Sequence, residues 1–243
     1  MKHQLFLSLV AIITVSSCNV AYRSSMVNTP LFTEKGDVAI TAASNNVQAA
    51  YAVSDHVGIM ANGFLEQNTV NSNETGNGGL GYMGEAGAGY FTMLGNNENL
   101  VFETYAGAGF GHLYLNNNYR DANNDIQKRT LDANGLKLFI QPGIGYKLPY
   151  FEVSGALRYS NVNYSGVRTS NWPAADLVRS NLDDVGNTSF GFLEPALTIR
   201  GGFKSVKLQL QYINCIKLNS ANINYDTDIV NLGIIIQLPS KSE

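Results

Sequence analysis

From Gly36 to the C-terminus the chain alternates apolar and polar residues with a period of two. Val206-Lys207-Leu208-Gln209-Leu210-Gln211-Tyr212 alternates without a break, as does Phe151-Glu152-Val153-Ser154-Gly155-Ala156-Leu157-Arg158-Tyr159. Successive side chains of a strand point to opposite faces, so such segments are strands with one apolar and one polar face. No stretch after Cys18 carries a helical stripe. Ten strands are expected near 36–43, 47–53, 57–67, 79–93, 100–115, 135–147, 150–162, 189–202, 205–216 and 228–238. Short connections at 54–55, 95–99, 148–149 and 202–204 alternate with long ones near 68–78, 116–134, 163–188 and 217–227, and only 44–46 breaks the pattern.

That layout is one of an all-β, antiparallel up-and-down transmembrane barrel of ten strands, or of eight if the first two segments form a separate hairpin. Composition selects lipid over water outside. Only 14% of residues are charged, against about 25% in soluble domains. After residue 15 no apolar run is long enough for a membrane helix, which needs about 20 residues. The net charge of −3 offers no basic footprint, so nucleic acid is excluded as a partner. Aromatics on the apolar parity fall into two bands, Tyr51, Tyr90, Phe102, Tyr146, Phe151 and Phe203 near the short turns, and Tyr82, Phe110, Tyr159 and Tyr212 near the long loops. Two outward girdles about 25 Å apart are expected where rings sit at both headgroup layers. Pro142 and Pro195 fall inside strands, where bulges would accommodate their missing N–H.

The N-terminus reads as an address. Residues 1–17 pair basic Lys2 with an apolar run, Leu5 to Val15, of signal-peptide length. Val15-Ser16-Ser17-Cys18 resembles the bacterial lipobox, which implies acylation of Cys18. Residues 18–35 then read as a lipidated tether, and 36–243 as the barrel domain. An even strand number returns both ends to the short-turn side, so the lipid is expected in the periplasmic leaflet.

With apolar residues outside, the opposite parity lines the lumen. Its charges balance: Glu85, Glu103, Glu152 and Glu194 against Lys137, Arg158, Arg200 and Lys207. Mutual pairing in a nearly dry interior is the expected state. Side chains just fill a barrel of about eight strands, while water channels appear near sixteen, so ten strands point to a plugged lumen and no conductance. Catalysis is not expected. His112 with Asp121, Asp125, Asp132, Asp176, Asp183 and Asp184 on the loops is too sparse a set for a rim hydrolase. Ala106-Gly107-Ala108-Gly109-Phe110-Gly111 lacks nucleotide-loop spacing, and neither a metal site nor a cofactor is indicated. Cys215 reads as a packed strand residue. Trp172, in Asn171-Trp172-Pro173, pins its loop or contacts an extracellular ligand. A barrel that binds or transports a small ligand is the alternative function.

Several segments are similar to those of small outer-membrane β-barrel lipoproteins of the Bacteroidetes. They are Val15-Ser16-Ser17-Cys18, Asn28-Thr29-Pro30-Leu31-Phe32-Thr33-Glu34-Lys35-Gly36, Gln48-Ala49-Ala50-Tyr51-Ala52-Val53 and Gly58-Ile59-Met60-Ala61-Asn62-Gly63. The last strand resembles the signal read by the barrel-assembly machinery, with Asn231, Gly233, Ile236 and Leu238 in its positions, although Pro239 to Glu243 trail behind. The resemblance implies an outer-membrane location, membrane lipid and the assembly machinery as partners, and a structural or surface-interaction role.

Overall fold

The computed structural model describes residues 20–69, 77–95, 99–120 and 123–240; the signal segment and Cys18 lie outside the described residues. Eleven strands and one short helix follow in chain order: β1 Val38–Ala43, β2 Asn46–Ala52, β3 Val57–Thr69, β4 Asn77–Leu94, β5 Leu100–Arg120, β6 Ile126–Lys147, β7 Phe151–Ser170, α1 Ala174–Arg179, β8 Ser189–Gly202, β9 Val206–Asn214, β10 Ile216–Lys217 and β11 Asp228–Leu238. Neighbours pair antiparallel in the order β8-β7-β6-β5-β4-β3-β2-β1-β11-β9, and β9 pairs back onto β8. The sheet is therefore a closed barrel of ten strands. The two-residue β10 continues the line of β9 beyond Cys215 and adds to β8. β1 and β2 belong to the wall, paired to β11 and β3, so the eight-strand alternative falls.

The pairing separates two ends. Val38 faces Leu238 at the end that carries the turns 53–56, 95–99, 148–150 and 203–205. The opposite end carries 121–125, 171–188 and 218–227. There β5 and β6 pair from Leu100 with Tyr146 out to Arg120 with Ile126. Most of the segment expected to be loop at 116–134 is thus strand, and 163–170 likewise extends β7. Asparagine disfavours strand, but a continuous ladder along the hairpin overrides the local preference.

The prolines distort less than expected. Ile140 faces Tyr159 and Gly143 faces Ala156 in one register, so Pro142 leaves a gap in the β6–β7 ladder and no bulge. Pro195 stays in register with Leu157, and the rung missing opposite β9 lies between the pairs Ala196–Ile213 and Leu193–Ile216. The register shift sits instead between Asp132 and Asn134 of β6, where the extra residue lies on β7 between Ser165 and Arg168.

The exterior is apolar along the strands. Ile59, Leu138, Ile140, Leu157, Leu197, Leu208, Leu232 and Ile234 are exposed, as are the ring residues Tyr51, Tyr90, Tyr146, Phe151 and Phe203 at the turn end and Tyr82, Phe110, Tyr159 and Tyr212 at the other, while Phe102 is partly covered. No helix among the described residues is long and apolar enough to cross a membrane.

Candidate functional site

The lumen holds a piece of the chain itself. Residues 20–35, expected as a tether, run through the lumen from one end of the barrel to the other, with Leu31 in the left-handed region at φ 53°. Ser24, Ser25, Met26, Val27, Thr29, Leu31 and Phe32 are each no more than 2% exposed. The segment starts at the loop end, where Tyr22 bridges Tyr225 and the Ala21 N–H donates to the Asn224 carbonyl at 2.8 Å. It finishes at the turn end, where the Asp37 carboxylate accepts from the Thr33 N–H at 2.9 Å and the Thr33 hydroxyl at 3.0 Å. Gly36, at φ 91°, reverses the chain into β1, a backbone conformation that side chains with a Cβ resist.

Three layers surround this segment. Near the loops the interior is hydrophobic: Tyr22, Leu113, Leu115, Leu131, Tyr164, Phe190 and Phe192 pack together, and the 171–188 connection folds over them with Trp172, Leu182 and Val185. Trp172 is thus a packing residue, and Cys215 is buried in the same cluster. Tyr22 stacks on Phe192 with ring centroids 4.2 Å apart.

The middle layer is ionic. Lys137 Nζ lies 2.8 Å from Glu85, and Arg158 Nε lies 2.5 Å from Glu194 and bridges toward Glu85 at 3.9 Å. A second group joins Glu152 to Arg200 at 3.0 Å and to Lys207 at 3.1 Å. Glu103 stands apart from both. All eight are buried. What sequence reasoning missed is that these residues bind the internal segment as well as one another. Ser25 Oγ donates to Glu85 at 2.9 Å, Arg158 Nη2 donates to the Ser25 carbonyl at 2.7 Å, and Arg200 Nη2 donates to Thr29 Oγ1 at 3.2 Å. Glu103 accepts the Leu31 N–H at 3.1 Å, while Lys147 donates to the Leu31 carbonyl at 2.8 Å.

Amide side chains complete the grip on the backbone. Gln211 takes both groups of Val27, accepting its N–H at 2.9 Å and donating to its carbonyl at 2.8 Å. Gln48 donates to the Met26 carbonyl at 3.0 Å and Gln141 to that of Asn28 at 2.7 Å. An extended strand without a sheet partner must have its N–H and C=O groups satisfied by side chains when buried. The inward amides do that here.

The turn-end layer closes around Phe32, packed with Phe91, Tyr105, Ala52 and Met60. Two wall glycines make the room. A Cβ on Gly58 would lie 3.1 Å from the Phe32 ring, and one on Gly145 would lie 2.5 Å from a Leu31 methyl. Such inward glycines were the legible signal that something other than wall side chains fills the space.

Other expected sites sit elsewhere. His112 faces the exterior, stacked beside Tyr82, with Nε2 3.2 Å from Asp132 and Nδ1 3.2 Å from Asn134. Both ring nitrogens are occupied, and among the described residues no hydroxyl or thiol is bonded to the ring. Among them, too, no group of three His, Cys, Asp or Glu could hold a metal. On β11, Asn231 points inward while Ile236 and Leu238 are exposed on the outer face. Gly233 lies opposite Ala43 at the seam with β1. An apolar cleft remains between Val20–Arg23 and the wall, lined by Phe64, Leu80, Met83 and Leu113.

No family model matches the chain. No curated protein matches it either. Among solved structures it is similar to a NanC porin in a rhombohedral crystal form, at 9% identity over 83% of this chain and 99% of that one, with a TM-score of 0.28.

Proposed function

We propose that the protein is an outer-membrane β-barrel lipoprotein, acylated on Cys18, whose lumen is closed by its own leading segment and which serves a structural or surface-interaction role. The observation that carries this reading is the burial of Ser24 to Phe32 inside a barrel with an apolar exterior. An apolar band around a closed barrel is stable in lipid and unfavourable in water. A solute would have to displace a segment held by ion pairs, amides and two aromatic layers. Membrane lipid and the assembly machinery, through Asn231, Gly233, Ile236 and Leu238, are the partners this reading entails.

Purified protein in planar bilayers should show no steady conductance, and a variant lacking Ser24 to Phe32 should open a pore. Heat-modifiable gel mobility reports whether each is folded. Steady large conductance from the intact chain would refute the closed lumen. A second reading, a barrel that takes a small apolar ligand, is favoured by the cleft beside Val20–Arg23. Protection of the inward-facing Met83 from oxidative footprinting by an added lipid would support it.

A further inference from the structure

The internal segment has a direction, and the direction places whatever precedes it. β1 begins at the turn end, with Val38 opposite Leu238. The segment before β1 nevertheless begins at the loop end. Its upper part is fastened there by several independent contacts. Tyr164 donates its hydroxyl to the Ala21 carbonyl at 2.6 Å, and the Asp226 N–H donates to the Tyr22 carbonyl at 3.1 Å. Tyr22 donates to Glu194 at 2.5 Å. Arg23 pairs with Glu66 at 3.0 Å and Asp226 at 3.2 Å. Nine residue steps separate Tyr22 from Leu31, a reach of at most about 30 Å at ~3.3 Å per residue, enough to cross a bilayer core.

We infer that the leading segment crosses the membrane inside the barrel, so that the chain ahead of Val20, Cys18 included, emerges on the long-loop face and anchors to the outer leaflet. This rests on the outer-membrane barrel reading above, in which long loops face the exterior. Cys18 stands two residues before Val20, within about 8 Å of its Cα along a fully extended chain. That reach cannot return an acyl chain to the turn end. The anchor expected in the periplasmic leaflet is thereby assigned to the opposite side. The partner surface is the outer leaflet beside β3–β6, where Val20 and Arg23 border the apolar cleft.

Three single substitutions in the full chain test this: Asn19→Cys at the segment's start, Asn124→Cys at the tip of the β5–β6 hairpin, and Lys204→Cys in a turn. Each is exposed to a membrane-impermeant maleimide on intact and on lysed cells, with the parent chain as blank and heat-modifiable mobility as the check on folding. Cys215 is buried and stays silent in the folded barrel. The expected result is full labelling of Asn19→Cys and Asn124→Cys on intact cells, and of Lys204→Cys only after lysis. Labelling of Asn19→Cys only after lysis, with Asn124→Cys labelled on intact cells, overturns the outward exit and leaves the barrel's orientation standing. Labelling of Lys204→Cys on intact cells and Asn124→Cys only after lysis overturns the orientation, and this inference with it. Labelling of the parent at Cys18 on intact cells supports the outward exit while refuting acylation.

Discussion

Arg158→Met removes the residue that ties the wall to the internal segment. Arg158 is 1% exposed and serves Glu194 through Nε at 2.5 Å, Ser24 Oγ through Nη2 at 2.6 Å and the Ser25 carbonyl through Nη2 at 2.7 Å. Glu85 loses little, because Lys137 stays 2.8 Å away and Asn62 donates at 2.9 Å. Among the described residues Glu194 keeps only the Tyr22 and Ser160 hydroxyls. Removing one partner of a buried ion pair costs about 3–5 kcal/mol, a factor of roughly 100 to 4,000 in the folding equilibrium at ~1.4 kcal/mol per tenfold. Arg158→Met combined with Glu194→Gln removes the uncompensated charge, while an amide at position 194 keeps a partner for the Tyr22 and Ser160 hydroxyls. The Ser24 hydroxyl and Ser25 carbonyl still lose a charged donor, about 1–3 kcal/mol. The double variant should therefore be more stable than Arg158→Met alone. Urea unfolding of lipid-reconstituted protein reads this out through the single Trp172, buried in the loop-end cluster. A cost below about 1 kcal/mol for the single variant, or a double variant whose loss equals the sum of both singles, would refute the buried-charge argument.

Two further outcomes follow from the packing around the segment. Gly145→Val drives a side chain into Leu31, where even a Cβ comes to 2.5 Å; it should cost about 1–3 kcal/mol by overpacking, and Leu31→Ala should rescue it in the same unfolding assay. Leu177→Ala, on α1 and partly buried against the loop-end cluster, should cost less than about 2 kcal/mol while speeding proteolysis of the 171–188 connection, since it loosens the cap without touching the ionic layer.

The lumen charges were readable as a set because parity alone sorts a strand's side chains. Glu85, Glu103, Glu152 and Glu194 and their four cationic partners share the inward face whatever the barrel contains. Which of them pair was not readable. Glu103 has the same parity as Glu85, yet it accepts a backbone N–H of the internal segment while Glu85 receives Lys137. Trp172 reads as a pin for its loop or a ligand contact, but the packing of the rest of the 171–188 connection was not legible, because its apolar residues are irregularly spaced. They pack as a lid, and a lid needs no period.

The alternation from Gly36 onward divided the side chains between two faces, and the connection lengths, low charge and aromatic bands made those faces the apolar exterior and polar lumen of an antiparallel barrel. The course of residues 20–35 was decided by tertiary structure alone. A chain enclosed on every side by a barrel wall has no solvent face and no core face, so it shows no periodicity to read. Its backbone is satisfied by Gln48, Gln141, Gln211 and Lys147, which lie far away in sequence. A count of ten strands points to a lumen near the filled end. Only the packed fold shows that residues 20–35 of the same chain occupy it, from the loop end to the turn end.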